Sequence, residues 1–353
     1  MSPLLAVAEA LGQLTDAELL FIGGRRGLEG DLARKAGLAF HATPLPSLRD
    51  PDSKLALIAQ LLLLPIATLD ALLRVARFRP RVCLTSGSFS ALPALFAARL
   101  LRVPIYLWVG DAIPGRALRA VAGWSARIGV TFEPALAALP RGRASVTGNP
   151  IRRSLLRWTK AEGRAVLQLG PGPVVFVTGG SQGSEKINSA VGGALGRLVR
   201  GASVIHHTGP AGIAKAEAQR SLLPEAERAR YRPHAYLHDE MGAALAAADL
   251  VVGRAGSSSI AEPLAFGTPL VLIPFGASMS GHQAANARAA AEHGAAMILA
   301  ESDLDGDRLA AVVNGLLGDP ARLARMAAAA KTAGRPDAAA LIARDVLVLG
   351  RCG

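Results

Sequence analysis

The stretch Val174-Val175-Phe176-Val177-Thr178-Gly179-Gly180-Ser181-Gln182-Gly183-Ser184 carries an apolar, strand-forming run into a Gly-Gly-Ser-Gln-Gly turn. A helical pattern follows at once from Glu185. Glycines at such a turn remove side chains, so that backbone N–H groups approach an oxyanion, and the helix dipole adds partial positive charge at the same point. Ser181, Gln182 and Ser184 supply hydroxyl and amide groups beside those amides. The spacing is neither that of the lysine-bearing phosphate loop nor that of the dinucleotide fingerprint. A turn that needs glycine only for packing is the plainer alternative.

Outward from this turn, apolar runs of strand length alternate with longer helical patterns. Strands are expected at 18–23, 82–86, 105–109, 128–132, 173–179, 204–208, 250–253, 270–274 and 295–299, and helices at 28–35, 90–101, 185–199, 241–248, 257–266 and 282–292. This alternation means parallel sheets with crossover helices, the doubly wound α/β class, in which ligands sit beyond the carboxyl ends of strands. The pattern breaks near Gly148-Asn149-Pro150 and restarts at Pro171-Gly172-Pro173. We therefore expect a first domain over 1–150, a second over 151–335, and a terminal Ala- and Leu-rich helix over 336–353.

Two further segments repeat the chemistry of the first. Val251-Val252-Gly253-Arg254-Ala255-Gly256-Ser257-Ser258-Ser259-Ile260-Ala261-Glu262 again ends a strand in a small-residue loop and opens a helix. It forms a second anion-ready amino terminus. Glu262 lies about one and a half turns into that helix, where a carboxylate can accept both hydroxyls of a ribose. An early-helix Glu favoured by the dipole is the bland reading. In Gly281-His282-Gln283-Ala284-Ala285-Asn286, Gln283 and Asn286 are three apart and share a helix face. That face suits reading sugar hydroxyls, or is simply solvated.

Composition narrows the partners. The chain has 353 residues, 51% hydrophobic and 19% charged, which excludes disordered and disulfide-scaffold classes and is ample for two cores. Its net charge of +12 points to phosphate-bearing partners or reflects only an arginine-rich composition. Aromatics at 4% argue against base stacking, and no nucleic-acid recognition module is present, so nucleic acid is not expected as a partner. Two cysteines, Cys83 and Cys352, make neither a disulfide framework nor a metal site. Asp303, Asp305 and Asp307 read as a solvated helix start, because Gly306 is misplaced for a calcium loop. Metal ions and cofactors are not expected. No basic leader precedes the first apolar helix, which favours the cytosol.

Residues 55–73 form the most apolar stretch, interrupted by Gln60, Pro65 and Asp70 and followed by Arg74, Arg77, Arg79 and Arg81. Apolar surface beside clustered Arg suits lying on an anionic membrane without crossing it. A buried helix of the first domain is the alternative, and one helix satisfies both if one face stays exposed.

Taken together, the three site segments resemble the MurG family of glycosyltransferases. So do Gly148-Asn149-Pro150-Ile151-Arg152, Ala248-Asp249-Leu250-Val251 and Arg335-Pro336-Asp337-Ala338-Ala339. In the first half, residues 6–11, 24–29 and Ala112-Ile113-Pro114-Gly115 add to the likeness, which covers nearly the whole chain. The resemblance implies a GT-B fold: two doubly wound, Rossmann-like domains with a cleft between them. It implies inverting transfer of GlcNAc from UDP-GlcNAc to undecaprenyl-pyrophosphoryl-MurNAc-pentapeptide, lipid I to lipid II, in peptidoglycan synthesis. It places such an enzyme peripherally on the cytoplasmic face of the cell membrane, with the terminal helix packing back toward the first domain. By position, Ser181 and Arg152 would meet the diphosphate, with Gln182 beside them. Ser257, Ser258 and Ser259 would hold ribose and phosphate, and Glu262 the ribose hydroxyls. The backbone near His238 would face the uracil, and Gln283 would hold the GlcNAc.

Three departures set further expectations. The family has a strand and a Gly-Gly-Thr-Gly-Gly-His loop ahead of the helix that here follows Met1-Ser2-Pro3, so the recorded start is expected to lie downstream of the true one. Trp108-Val109-Gly110-Asp111 stands where the family has His-Glu-Gln-Asn, leaving Asp111 as the positional candidate for the general base, or a turn residue. The Asp usual before His-Gln is replaced at Ser280 or Gly281. These departures keep two alternatives open: a related transferase with another lipid acceptor, and a non-catalytic UDP-sugar-binding homologue.

Overall fold

The computed structural model describes residues 2–24, 29–44, 54–276 and 281–352. Arg25 to Leu28, including the expected helix start at Leu28, and Ser280 lie outside the described residues. The chain forms two compact units. The first comprises Met1–Gly110, Pro114–Arg152 and Asp337–Gly353; the second comprises Asp111–Ile113 and Arg153–Pro336.

The first unit contains strands β1 (Leu20–Gly24), β2 (Ala39–Thr43), β3 (Cys83–Thr85), β4 (Ile105–Val109), β5 (Arg127–Val130) and β6 (Ala144–Val146). They make two parallel sheets, β1-β2 and β3-β4-β5-β6. All five residues of β4, Ile-Tyr-Leu-Trp-Val, are buried. One face of the larger sheet packs on the first and last helices of the chain, Ser2–Leu14 and Ala338–Cys352. Val7, Leu11, Tyr106, Trp108, Ile342, Ala343 and Val346 form one apolar cluster there. Asp345 on the terminal helix accepts from the Tyr106 hydroxyl and pairs with Arg127.

The apolar stretch becomes the helix Lys54–Phe78, with Pro65 inside it. Ala67, Ala71 and Val75 are buried on one side, against the helix Leu92–Leu100. Leu62, Ile66, Leu69 and Leu73, spaced four, three and four apart, are 58–71% exposed on the other. The core-helix and exposed-face readings therefore both hold for this one helix. No helix among the described residues is long and apolar enough to cross a membrane.

The second unit contains β7 (Val174–Thr178), β8 (Ser203–His207), β9 (Tyr231–His234), β10 (Leu250–Gly253), β11 (Leu270–Leu272) and β12 (Ala296–Ile298). They form one parallel sheet in the order β12-β11-β10-β7-β8-β9. This is the doubly wound order, with its switch point between β7 and β10. The helix Glu185–Gly201 buries Ile187, Val191, Leu195 and Leu198 against Val175, Val177 and Val204 of the sheet and against Leu309, Val313 and Leu316 of the helix Gly306–Leu317. Asp249, just before β10, accepts from the Val174 N–H at 2.8 Å and pairs with Lys160 and Arg164, fixing the register of the two central strands.

β2, β6 and β9 escape the sequence pattern. The last, Tyr-Arg-Pro-His, carries a proline and an arginine and stands at the sheet edge, where a missing N–H is tolerated. Asp305 caps the helix Gly306–Leu317 by accepting from the Arg308 N–H, so the acidic triplet is a helix start, as expected.

Candidate functional site

The central strands β7 and β10 lie side by side, so the turns leaving their carboxyl ends are neighbours. Each turn opens a helix. After β7, Ser184 caps the helix Glu185–Gly201, its hydroxyl accepting from the Ile187 N–H. After β10, Gly256 is the cap of the helix Ser257–Ala265 and offers no side-chain acceptor. The first-turn amides, those of Ser257, Ser258 and Ser259, therefore keep their hydrogens for a ligand.

Backbone-to-backbone packing explains the glycines. Gly183 has φ +77°, and a Cβ there would lie 1.9 Å from the Thr208 carbonyl oxygen. Gly209 has φ +75°, and its Cβ would lie 2.2 Å from the Gln182 carbonyl oxygen. The turns after β7 and β8 thus interlock in a way only glycine permits. Packing and anion-binding readings of these glycines are compatible, because the same close approach leaves Ser181 and Gln182 exposed at the rim.

Beneath the turns lies a buried polar network. The Tyr231 hydroxyl donates to His206 Nδ1 at 2.8 Å. His206 Nε2 donates to Asn188 Oδ1 at 3.0 Å, and Asn188 Nδ2 donates to the Thr208 carbonyl at 2.8 Å. Burial first, then the neighbouring His207, pushes the His206 pKa down to about 3, so the ring is a neutral structural group. His207 also titrates below its ordinary range, through burial and then His234. Its Nδ1 is 3.2 Å from Thr178 Oγ1, and its ring meets Tyr236 edge-on at 5.6 Å. Tyr236 in turn lies 4.5 Å from the exposed His238 ring, making a short aromatic row beyond β9.

Arg254 joins the pieces. Its guanidinium donates to Ser184 Oγ at 2.8 Å and to the Ile273 carbonyl at 3.3 Å, pairs with Glu301 at 2.5 Å, and lies over the Phe275 ring. Glu301 also accepts from the Gly276 N–H at 2.9 Å. Burial alone would raise the Glu301 pKa, but the Gly276 N–H and Arg254 outweigh it and hold the carboxyl below its usual range. Arg254 was legible as a loop residue but not as a clamp, because Ser184 and Glu301 are remote from it in sequence.

The expected site residues divide clearly. Ser181, Gln182, Ser257, Ser258, Ser259, Glu262, His238 and Gln283 all belong to the second unit, and Arg152 is exposed in the first. Gln283 Oε1 accepts from the Phe275 N–H at 3.0 Å and the Ala255 N–H at 3.3 Å, leaving its amide N–H groups as the end available to a ligand. Asn286 corrects the sugar-reading expectation. It is fully buried, donates to Asp111 Oδ1 at 2.9 Å and to the Ala255 carbonyl at 3.1 Å, and accepts from the Ala112 N–H at 2.8 Å. Its amide is consumed in holding backbone, so it reads no sugar. Asp111–Ile113 packs within this second unit, where His282 Nδ1 donates to the Ile113 carbonyl at 2.8 Å. No group of three or more His, Cys, Asp or Glu side chains placed to hold a metal ion occurs among the described residues.

Comparison with known proteins gives this geometry a context. Residues 1–130 match the glycosyltransferase family 28 N-terminal domain, and residues 174–342 match the glycosyltransferase family 28 C-terminal domain. A UDP-N-acetylglucosamine--N-acetylmuramyl-(pentapeptide) pyrophosphoryl-undecaprenol N-acetylglucosamine transferase of Solidesulfovibrio magneticus is 37% identical over 98% of this chain and 94% of its own length. The protein of the same name from Desulforudis audaxviator is 34% identical over 95% of this chain and 91% of its own length. The crystal structure of Acinetobacter baumannii MurG superposes with a TM-score of 0.75 at 22% identity, covering 98% of this chain and 95% of that one, which shows a shared GT-B fold.

Proposed function

We propose, from the premise that this chain belongs to glycosyltransferase family 28, that it transfers GlcNAc from UDP-GlcNAc to undecaprenyl-pyrophosphoryl-MurNAc-pentapeptide, forming lipid II from lipid I. The observation that carries the reading is the 34–37% identity with transferases of that name over almost the full chain. The second unit supports it with two adjacent helix amino termini at the switch point, a setting for a diphosphate.

In this reading the diphosphate of the donor lies on the amides around Ser181 and Ser257–Ser259, with Gln182 and Arg152 adding donors. Glu262 accepts the ribose hydroxyls, the backbone near His238 faces the uracil, and the Gln283 amide donates to GlcNAc. The acceptor hydroxyl attacks the anomeric carbon from the face opposite the diphosphate. A C–O bond forms as the bond to UDP breaks, the hydroxyl proton passes to a base, and the diphosphate leaves with the electron pair. Asp111 is the base in this scheme; Asn286 holds one of its carboxylate oxygens and leaves the other to accept the proton. Helix amino termini and Arg152 stabilise the charge on the departing diphosphate.

The acceptor is a membrane lipid, and the helix Lys54–Phe78 provides the means to reach it. Its exposed Leu62, Ile66, Leu69 and Leu73 run into the exposed Arg74, Arg77, Arg79 and Arg81. This surface would rest on the anionic cytoplasmic face of the membrane, apolar side chains inserted and Arg on the headgroups.

The test is transfer of radiolabelled GlcNAc from UDP-GlcNAc to lipid I in detergent micelles. Labelled lipid II that disappears in Glu262→Ala supports the reading. UDP binding without product on lipid I, or product only on a different lipid acceptor, overturns it.

A further inference from the structure

β7 ends on a hydroxyl rather than on a fifth apolar side chain. Val174, Val175, Phe176 and Val177 are core residues, and Thr178, also buried, closes the strand. A buried hydroxyl requires partners. Thr178 Oγ1 accepts from the Gly180 N–H at 3.2 Å and lies 3.2 Å from His207 Nδ1 on the adjoining β8. These two contacts set each other's direction. A hydroxyl that accepts from a backbone amide still has one hydrogen to give, and the Nδ1 lone pair of a neutral imidazole takes it. Burial, then His234, holds His207 below its ordinary range, so the ring is neutral and that lone pair is present. Nε2 then carries the ring's hydrogen, and it is buried with no hydrogen-bond partner. An apolar side chain would avoid the cost of that unspent donor. The ring, only 1% exposed, is explained by what its other end does, which is to hold the hydrogen of Thr178.

Thr178 in turn holds a peptide plane of the turn after β7. The Gly180 N–H is tied to Thr178 Oγ1, and the Gly180 carbonyl accepts from the Gly183 N–H at 2.8 Å. Packing does not orient this residue. A Cβ at Gly179 would strike the Ser184 amide and one at Gly183 the Thr208 carbonyl, whereas one at Gly180 would meet nothing within 4 Å. Gly180, with φ +88°, is thus a loosely packed joint between two wedged glycines, and hydrogen bonds decide which way it faces. In a planar trans peptide the C=O and the following N–H point opposite ways. A Gly180 carbonyl directed into the turn therefore sends the Ser181 N–H out of it, on the side where Ser181 and Gln182 are exposed.

We propose that Thr178, its hydroxyl held by His207, is a positioning residue for the donor diphosphate: it fixes the Gly180 peptide so that the Ser181 amide faces the phosphates. The inference rests on the transferase reading, since the ligand it serves is the UDP of that reading. It adds a pair of residues from inside the sheet to a site otherwise built from groups at the rim. The hydroxyl touches no substrate and acts through the backbone alone. Its contribution is preorganisation, because an amide already aimed at the anion needs no reorientation when the ligand arrives.

The test titrates UDP and uridine against the whole chain by ligand-detected NMR. Uridine carries base and ribose without phosphates, so a loss confined to UDP reports the diphosphate end. Thr178→Val removes the hydroxyl at similar volume, Thr178→Ser restores it, and His207→Phe keeps a ring but loses Nδ1. We expect Thr178→Val to bind UDP roughly tenfold more weakly, with uridine within about twofold of the parent. Thr178→Ser should recover UDP affinity to within about threefold, and His207→Phe should weaken UDP selectively by about threefold. Hydrogen exchange at the Gly180 amide should be faster in Thr178→Val than in Thr178→Ser or the parent. Equal UDP binding by Thr178→Val and the parent, UDP and uridine weakened alike, Thr178→Ser as weak as Thr178→Val, or His207→Phe indistinguishable from the parent would each overturn this inference and leave the transferase reading standing. A parent that binds no UDP would overturn both.

Discussion

Arg254 Nη2 donates to Ser184 Oγ at 2.8 Å, so the loop after β10 is tied to the cap of the helix that follows β7. The same guanidinium is neutralised by Glu301, and the side chains of the pair are only 11% and 16% exposed. Position, rather than net charge, is what Arg254 contributes to the two anion-ready turns.

Removing one partner of that pair leaves the other charge buried. Arg254→Met should destabilise the fold by about 3 kcal/mol, in the range for a broken buried ion pair. Arg254→Met combined with Glu301→Gln should recover part of that loss. Urea unfolding of the two single variants and the double variant checks this, and strict additivity would show that the pair is not coupled.

Glycine is required at position 183 by the Thr208 carbonyl. Gly183→Ala must move one turn away from the other. We expect UDP to stabilise this variant much less than the parent in thermal unfolding, together with a lowered Tm. An unchanged UDP-induced shift would mean that the interlocked turns do not shape the nucleotide site.

Stability should depend on pH through His206. The folded imidazole stays neutral down to pH about 3, whereas an unfolded one protonates near 6.5. Between those values the unfolded chain binds more protons, so stability is fully present above about pH 6.5 and declines as pH falls toward 3. Denaturant unfolding across that range should show a shallower slope in His206→Gln than in the parent.

Exposed Leu69 and Leu73 carry no core packing, so their loss should spare folding. Leu69→Ser with Leu73→Ser should leave Tm within about two degrees and weaken binding to anionic phosphatidylglycerol vesicles at least tenfold. Two buried Leu side chains contribute about 3 kcal/mol or more in transfer to an apolar phase. Vesicle co-sedimentation reads the outcome, and unchanged binding would remove this helix from the membrane-facing role.

Cys83 offers a further check on the first unit. Burial pushes its thiol pKa up to about 11, so thiolate is scarce at neutral pH. Alkylation by iodoacetamide in a Cys352→Ser background should be slow and rise steeply above pH 9. Rapid modification at pH 7 would show that the edge of β3 is far more hydrated than its packing implies.

The sequence by itself determined the alternation of strands and helices, because apolar runs and glycine-bearing turns are local signals. Ile105–Val109 and Leu250–Gly253 are expected and found with the same ends. It also located the two glycine-bearing turns after β7 and β10, since strand, small-residue loop and helix start lie contiguous in each. Tertiary structure alone decided what the polar side chains do there. Gln283 and Asn286 share a helix face in the pattern, yet Asn286 is sealed against Asp111 and Ala255 while Gln283 keeps one end available. Arg254 gained its role only when β7 and β10 became neighbours and brought Ser184 and Glu301 to it. β9 was invisible because its Pro and Arg contradict strand propensity, which the sheet edge tolerates. Periodicity records which face of an element is apolar. The partners of a buried polar group come from distant parts of the chain, and only the folded sheet order brings them within hydrogen-bond reach.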